Sequence, residues 1–187
     1  MVLPHLEYCC PVWSPLTIGR IRQLEAIQRS YTAKFGTIAN MSYWERLRAL
    51  GIYSIERRRE RYLILYVFKI LQGLTPNIQG EKFKIRVEYS ARRGRTCIIP
   101  SFNTRALSRI TTMVEASFPV RGPKLFNSLS MDLRNFDGSL DAFKRRLDKF
   151  LQTIPDQPCI PAYQQPALSN SIVDQLSALR AAGVYHN

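Results

Sequence analysis

The stretch SIERRRERYLILYVFKIL, residues 54 to 71, constrains the chain more than any other. Ser54 is a helix N-cap residue, Gly73 followed by Thr75-Pro76 supplies the stop, and from Tyr62 onward nearly every position except Lys69 is apolar. A helix that is apolar on nearly every face belongs in the middle of a core, so the expected fold is mainly α, with other helices packed around this one. The first turns pose a problem. Arg57, Arg58, Arg59 and Arg61 share them with only Glu56 and Glu60. On a helix, Glu56–Arg59 and Arg57–Glu60 attract, whereas Glu56–Glu60, Arg57–Arg61 and Arg58–Arg61 repel. At about 0.2–0.5 kcal/mol per pair, these contacts do not hold the cluster together. Cations near a helix N-terminus also oppose the macrodipole. The guanidiniums therefore need partners beyond their own helix. Two kinds are available: the carboxylates Glu7, Glu25 and Glu45 on neighbouring helices, or phosphate, which arginine binds bidentately. Different members of the cluster can use different partners.

Around this helix the chain is well punctuated. A short helix is expected near Leu6 to Trp13, ending at Ser14-Pro15, because the residue before a proline is pushed out of the helical region. From Ile18 to Phe35, Ile21, Leu24, Ile27, Tyr31 and Phe35 recur at helical spacing, with Arg20, Arg22, Gln23 and Arg29 opposite. The stretch SYWERLRALG predicts a helix with Ser42 and Glu45 as a capping box and Gly51 as a left-handed stop. Between Glu81 and Gly122 the pattern changes. KFKIRVEYS alternates like a strand, ARRGR reads as a turn or loop, and TTMVEASFPV is rich in β-branched residues, which together predict a small β-rich or irregular segment. A last helix runs from Ser139 to Leu151, with Leu140, Phe143, Leu147 and Leu151 on one stripe and Lys144, Arg145, Arg146 and Lys149 on another. Beyond it, prolines at 155, 158, 161 and 166 predict an extended or disordered tail that can carry a weak helix from Ser171 to Ala182. The expected organisation is a helical domain over 1–80, a basic β or loop segment with its helix over 81–154, and a tail over 155–187.

Charge points to the class of partner. The formal net charge is +13, and residues 82–109 carry eight basic side chains against one acidic. So basic a chain favours an anionic polymer. Within this segment ARRGR offers Arg92, Arg93 and Arg95 on a loop, with Gly94 allowing close approach of the backbone. Chemistry is not expected. His5 and His186 lie near the ends, the six aspartates scatter after residue 131, and no phosphate-binding glycine loop or nucleophile elbow occurs. No cofactor is expected either. Cys9, Cys10, Cys97 and Cys159 fit neither a disulfide framework nor a zinc site, so a reduced, intracellular chain is the simpler expectation. The apolar run from Tyr62 to Phe68 is too short for a bilayer, which needs roughly 20 residues, and no membrane partner is expected.

The blocks LPHLEYCCPVWSP, LEAIQRSYTAKF and YWERLRALGIYSIERRRERYLILYVFKILQGLTPN, in this order, resemble the region after the polymerase palm in reverse transcriptases of non-LTR retrotransposons, the LINE-like elements of jockey type. ARRGR followed by FPVRGPKLFNSLSMDLRNFDGSLDAFKRRLDKFL resembles their C-terminal tract, so that the similarity covers about residues 3 to 158. It implies a thumb-like helical bundle and an extension that grips template–primer duplex or the element's RNA, working with upstream polymerase domains. The family's aromatic-x-Asp-Asp catalytic motif does not occur in these residues. The expectation is a non-catalytic piece of an RNA-directed DNA polymerase that binds RNA or an RNA/DNA duplex through phosphates, with Arg57, Arg58, Arg59, Arg61, Arg92, Arg93 and Arg95 as the contacts. The alternatives are a helical protein-interaction or scaffold module whose arginines are internal bridges, and a nonfunctional relic of an element.

Overall fold

The computed structural model describes residues 3–15, 17–75, 84–90, 93–99, 117–158 and 170–184. In chain order these form α1 (Leu3–Glu7), α2 (Ile18–Thr32), α3 (Tyr43–Leu50), α4 (Ile55–Leu71), strands β1 (Lys84–Ser90) and β2 (Arg93–Ile99), α5 (Phe118–Ser128), α6 (Met131–Arg134), α7 (Leu140–Gln152) and α8 (Ile172–Ala181). The fold is mainly α. Several helix starts follow local chemistry. Ser42 and Glu45 close a reciprocal capping box on α3, with Ser42 N donating to Glu45 Oε2 at 2.9 Å. Gly51 ends that helix at φ 63°, where a side chain would be strained. Ser54 Oγ accepts from Arg57 N at 3.2 Å, and Ser139 Oγ accepts from Ala142 N at 3.3 Å.

Helix α4 lies at the centre, in contact with α1, α2, α5 and α7. Leu63, Ile64, Val67 and Phe68 are buried against Leu125, Phe126 and Leu129, against Phe143, Leu147 and Leu151 of α7, and against Ile172 and Leu176 of α8. The Phe68 and Phe143 rings stack in parallel with centroids 3.9 Å apart and 4° between their planes. Helices α4 and α5 approach closely at Gly122. A Cβ there would stand 2.9 Å from Val67 Cγ2 and 2.9 Å from Phe118 Cε2.

Several expectations need correction. The described core crosses both expected boundaries, near residue 80 and near 154, so the helices on either side share one interior. The stretch after 155 contributes α8, which coincides with the weak helix expected from Ser171 to Ala182, but its Ile172 and Leu176 are fully buried in the core and not part of a free tail. Phe118 to Val120 open a helix, not a β segment. Pro119 sits in the first turn of α5, where the missing N–H costs nothing because that donor has no intrahelical acceptor. The antiparallel hairpin has the register Ser90↔Arg93 and Glu88↔Arg95, which puts Arg93 and Arg95 in strand β2 instead of a loop. A two-residue connection lets pairing begin directly at Arg93, and Arg92 lies outside the described residues.

A further correction concerns α2, which turns a different face inward. Glu25, Gln28 and Thr32 are buried, while Ile27, Tyr31 and Phe35 of the expected apolar stripe are exposed. Polar contacts fix this rotation. Glu25 takes amides at the start of α4, Gln28 Nε2 donates to Tyr53 O at 3.1 Å, and Thr32 Oγ1 accepts from Arg46 Nε at 3.3 Å. Losing such buried partners would cost more than leaving part of three apolar side chains in water.

Candidate functional site

The start of α4 is where charge concentrates, and the structure assigns its arginines to the fold. Arg57 is 0 % exposed. Its Nη1 donates to Leu151 O at 3.5 Å and Ile154 O at 3.3 Å, its Nη2 donates to Pro155 O at 2.6 Å, and its Nε lies 3.8 Å from Asp156 Oδ1. These carbonyls lie at and beyond the end of α7, where a helix has orphan acceptors and its negative dipole end. Arg57 thus terminates a helix almost a hundred residues away in sequence. Arg59 does the same for α1: Nη1 donates to Leu6 O at 2.6 Å, Nη2 donates to Trp13 O, and the guanidinium lies 4.0 Å from the centroid of the Trp13 ring. Burial lowers its pKa. Arg58 pairs with Glu7. Arg61 grips Asp148 with both branches, Nε to Oδ1 at 2.6 Å and Nη2 to Oδ2 at 2.8 Å, and that carboxylate raises its pKa.

The carboxylates in the same turns are equally committed. Glu25 accepts from Tyr43 Oη, from Ile55 N at 3.1 Å and from Glu56 N at 3.4 Å, placing an anion at the N-terminus of α4. Asp156 accepts from both Ser54 N and Ser54 Oγ at 2.7 Å, and from Asn170 Nδ2 at 2.6 Å. Glu60 accepts from Ser171 Oγ at 2.6 Å, from Ile172 N at 2.7 Å and from Arg121 Nη2 at 3.2 Å, so it caps α8 while holding α5. Glu56 accepts from Asn170 N at 3.1 Å, yet its Oε1 is buried with no hydrogen-bond partner. Burial first, and the neighbouring Glu60 second, push its pKa up to about 8. Glu25 is also raised, again by burial first.

Arg57 and Arg59 are therefore corrected as phosphate contacts. Arg57 and Arg59 are buried, and Arg58 and Arg61 are taken by carboxylates. The argument that these residues must look beyond their helix holds, and the partners belong to the same chain. Of the three carboxylates considered as partners, Glu7 serves; Glu25 caps α4, and Glu45 belongs to the Ser42 box. Asp148, Asp156 and the carbonyls after α7 were missed. Their only signal was that a helix end followed by Pro155 needs donors for its last carbonyls. Arg93 and Arg95 are placed by backbone register alone.

Cations remain at the surface elsewhere. On α7, Arg145, Arg146 and Lys149 are exposed; Arg146 lies 4.5 Å from the Phe136 ring centroid, and Lys144 is paired with Asp141 at 2.9 Å. On α2, Arg20, Arg22 and Arg29 are exposed, as is Lys34 just beyond it. Among the described residues no cluster of three His, Cys, Asp or Glu side chains could hold a metal ion, and no helix is long and apolar enough to cross a membrane. No protein-family model, curated protein or solved structure matches the chain.

Proposed function

We propose that the chain is the C-terminal, non-catalytic part of a LINE-like RNA-directed DNA polymerase, and that it holds template–primer duplex or element RNA by its phosphates along α7, not α4. The observation that carries this reading is the exposed row Arg145, Arg146 and Lys149, which keeps its charge in solvent after Asp148 on the same helix has been taken by Arg61. Phosphate contacts of this kind position a nucleic acid without reading its sequence. The α4 block and the C-terminal block that resemble such polymerases, though far apart in the chain, share one core, which supports treating them as one functional unit.

The test is fluorescence anisotropy with labelled duplex and single-stranded RNA, titrated with the full chain between about 50 and 200 mM salt. Affinity falls steeply with salt, and replacing Arg145 and Lys149 by glutamine reduces the logarithmic salt slope by about 1–2. An affinity that stays flat with salt overturns the reading.

A second reading, a helical protein-interaction module, is favoured by the internal use of all four α4 arginines. Under it, the Arg145→Gln, Lys149→Gln variant binds RNA as the parent does. The isolated chain incorporates no nucleotide under either reading.

A further inference from the structure

Helix α2 buries its polar side chains and leaves apolar ones in water. Glu25, Gln28 and Thr32 are 6 %, 3 % and 1 % exposed, whereas Ile27, Tyr31 and Phe35 are 42 %, 57 % and 42 % exposed. The polar contacts to α3, α4 and Tyr53 pin the rotation of the helix, so the apolar row cannot roll inward without orphaning three buried groups. The row is ordered. Its members stand four residues apart, Ile27 and Tyr31 one turn apart on the helix and Phe35 just past its end. Tyr31 and Phe35 meet edge to face, with centroids 5.5 Å apart and 86° between planes.

Charge decides what fits this row. Arg20 lies seven residues before Ile27 and so on the same line of the helix, and Lys34 stands at the other end; both are exposed. The helix's one carboxylate, Glu25, is buried. An apolar row with an exposed cation at each end matches an acidic amphipathic helix. A second copy of the chain would set cations against cations across a two-fold axis. Stacked bases fit less well, because an edge-to-face ring pair beside an isoleucine offers no run of parallel ring faces.

We propose that the Ile27–Tyr31–Phe35 row is a docking face for an acidic amphipathic helix of a partner protein, whose apolar residues at helical spacing pack on the row while its carboxylates meet Arg20 and Lys34. This site is separate from the α7 surface and does not depend on the nucleic-acid reading.

The probe is a labelled helical peptide of roughly 16 residues, leucine at every third or fourth position and glutamate between, long enough to hold helix on contact. A scrambled peptide of the same composition and a uridine-rich single-stranded RNA serve as comparators, all titrated against the full chain. The helical peptide is expected to bind saturably, with affinity lowered about tenfold by the pair Ile27→Ser, Tyr31→Ser. Both positions are exposed, and unchanged circular dichroism and melting confirm that the pair folds. Arg20→Gln with Lys34→Gln weakens binding chiefly at low salt. The proposal is overturned if the helical peptide does not bind, if the scrambled peptide binds equally well, or if the serine pair leaves binding intact. It is equally overturned if the serine pair abolishes RNA binding instead, or if sedimentation shows a dimer that the pair dissolves.

Discussion

The two halves of α4 are held by different physics. From Leu63 to Phe68 the helix is fixed by apolar contacts with α5, α7 and α8, with Phe68 stacked on Phe143. From Ser54 to Arg61 it is fixed by charged and polar side chains that reach to α1, α2, α5, α7 and the start of α8. The apolar half supplies adhesion without direction. The polar half supplies direction, because each guanidinium or carboxylate accepts only partners at fixed geometry, and four of those partners are helix termini. One run of sequence therefore serves as both core and junction.

The sharpest way to break the polar half is Arg57→Ala. It leaves the carbonyls of Leu151, Ile154 and Pro155 without their donor and Asp156 without its cation, all close to the buried end of α7. The expected loss is about 3–5 kcal/mol in denaturant melts, the range for removing one member of a buried charged cluster. Arg57→Lys rescues little of it, since one ammonium cannot span three carbonyls as the planar fork does. A loss under about 1 kcal/mol would mean that the apolar half alone sets stability.

The apolar half is tested at Gly122. Gly122→Ala puts a methyl against Val67 Cγ2, which is fully buried and β-branched and cannot swing away. Separation of α4 from α5 should cost about 1–3 kcal/mol. The effect should not depend on salt.

The contrast also explains what the sequence allowed to be read. The Ser42–Glu45 box, the Ser54 cap and the Leu140–Phe143–Leu147–Leu151 stripe are local patterns, closed within a few residues, and each appears as expected. The partners of the arginines were not legible. Asp148, Asp156 and the last carbonyls of α7 lie about 90 residues or more along the chain, and no spacing rule links them to α4. On α2 the periodicity announced a helix but chose the wrong face, because periodicity assumes that apolar side chains take the interior. There the buried acceptors needed by α4 and Arg46 took precedence. The proline-rich opening of α5 hid a helix for a third reason: Pro119 is tolerated only because it falls in the first turn.

Protonation gives an intermediate effect in the polar half. Glu56 has a folded-state pKa of about 8, above the ordinary 4.5, so between these values the folded chain holds a proton that the unfolded chain has lost. The associated stability is complete below the ordinary value and falls away as pH rises through about 8. Melts of the parent chain should weaken by on the order of 2 kcal/mol from about pH 5 to pH 8. Glu56→Gln, which keeps an acceptor for Asn170 N, should flatten most of that slope, and Glu25, raised in the same direction, accounts for the remainder. An unchanged slope in the variant would move the titration to another group.

The smallest effect separates the arginines from one another. Arg61 and Asp148 have side chains 20 % and 35 % exposed, so water and salt reach their two hydrogen bonds. Arg61→Gln should cost about 1 kcal/mol or less, and the difference from the parent should shrink between about 0.05 and 0.5 M salt. Arg57, at 0 %, lies out of reach of screening, and its cost should stay constant over the same range. Charge number is the same at both positions, so the divergence isolates burial as the variable that turns a surface pair into a structural pin. If the Arg57→Ala deficit also melted away with salt, the junction would be an exposed ion-pair patch, and the distinction between the two halves of α4 would collapse.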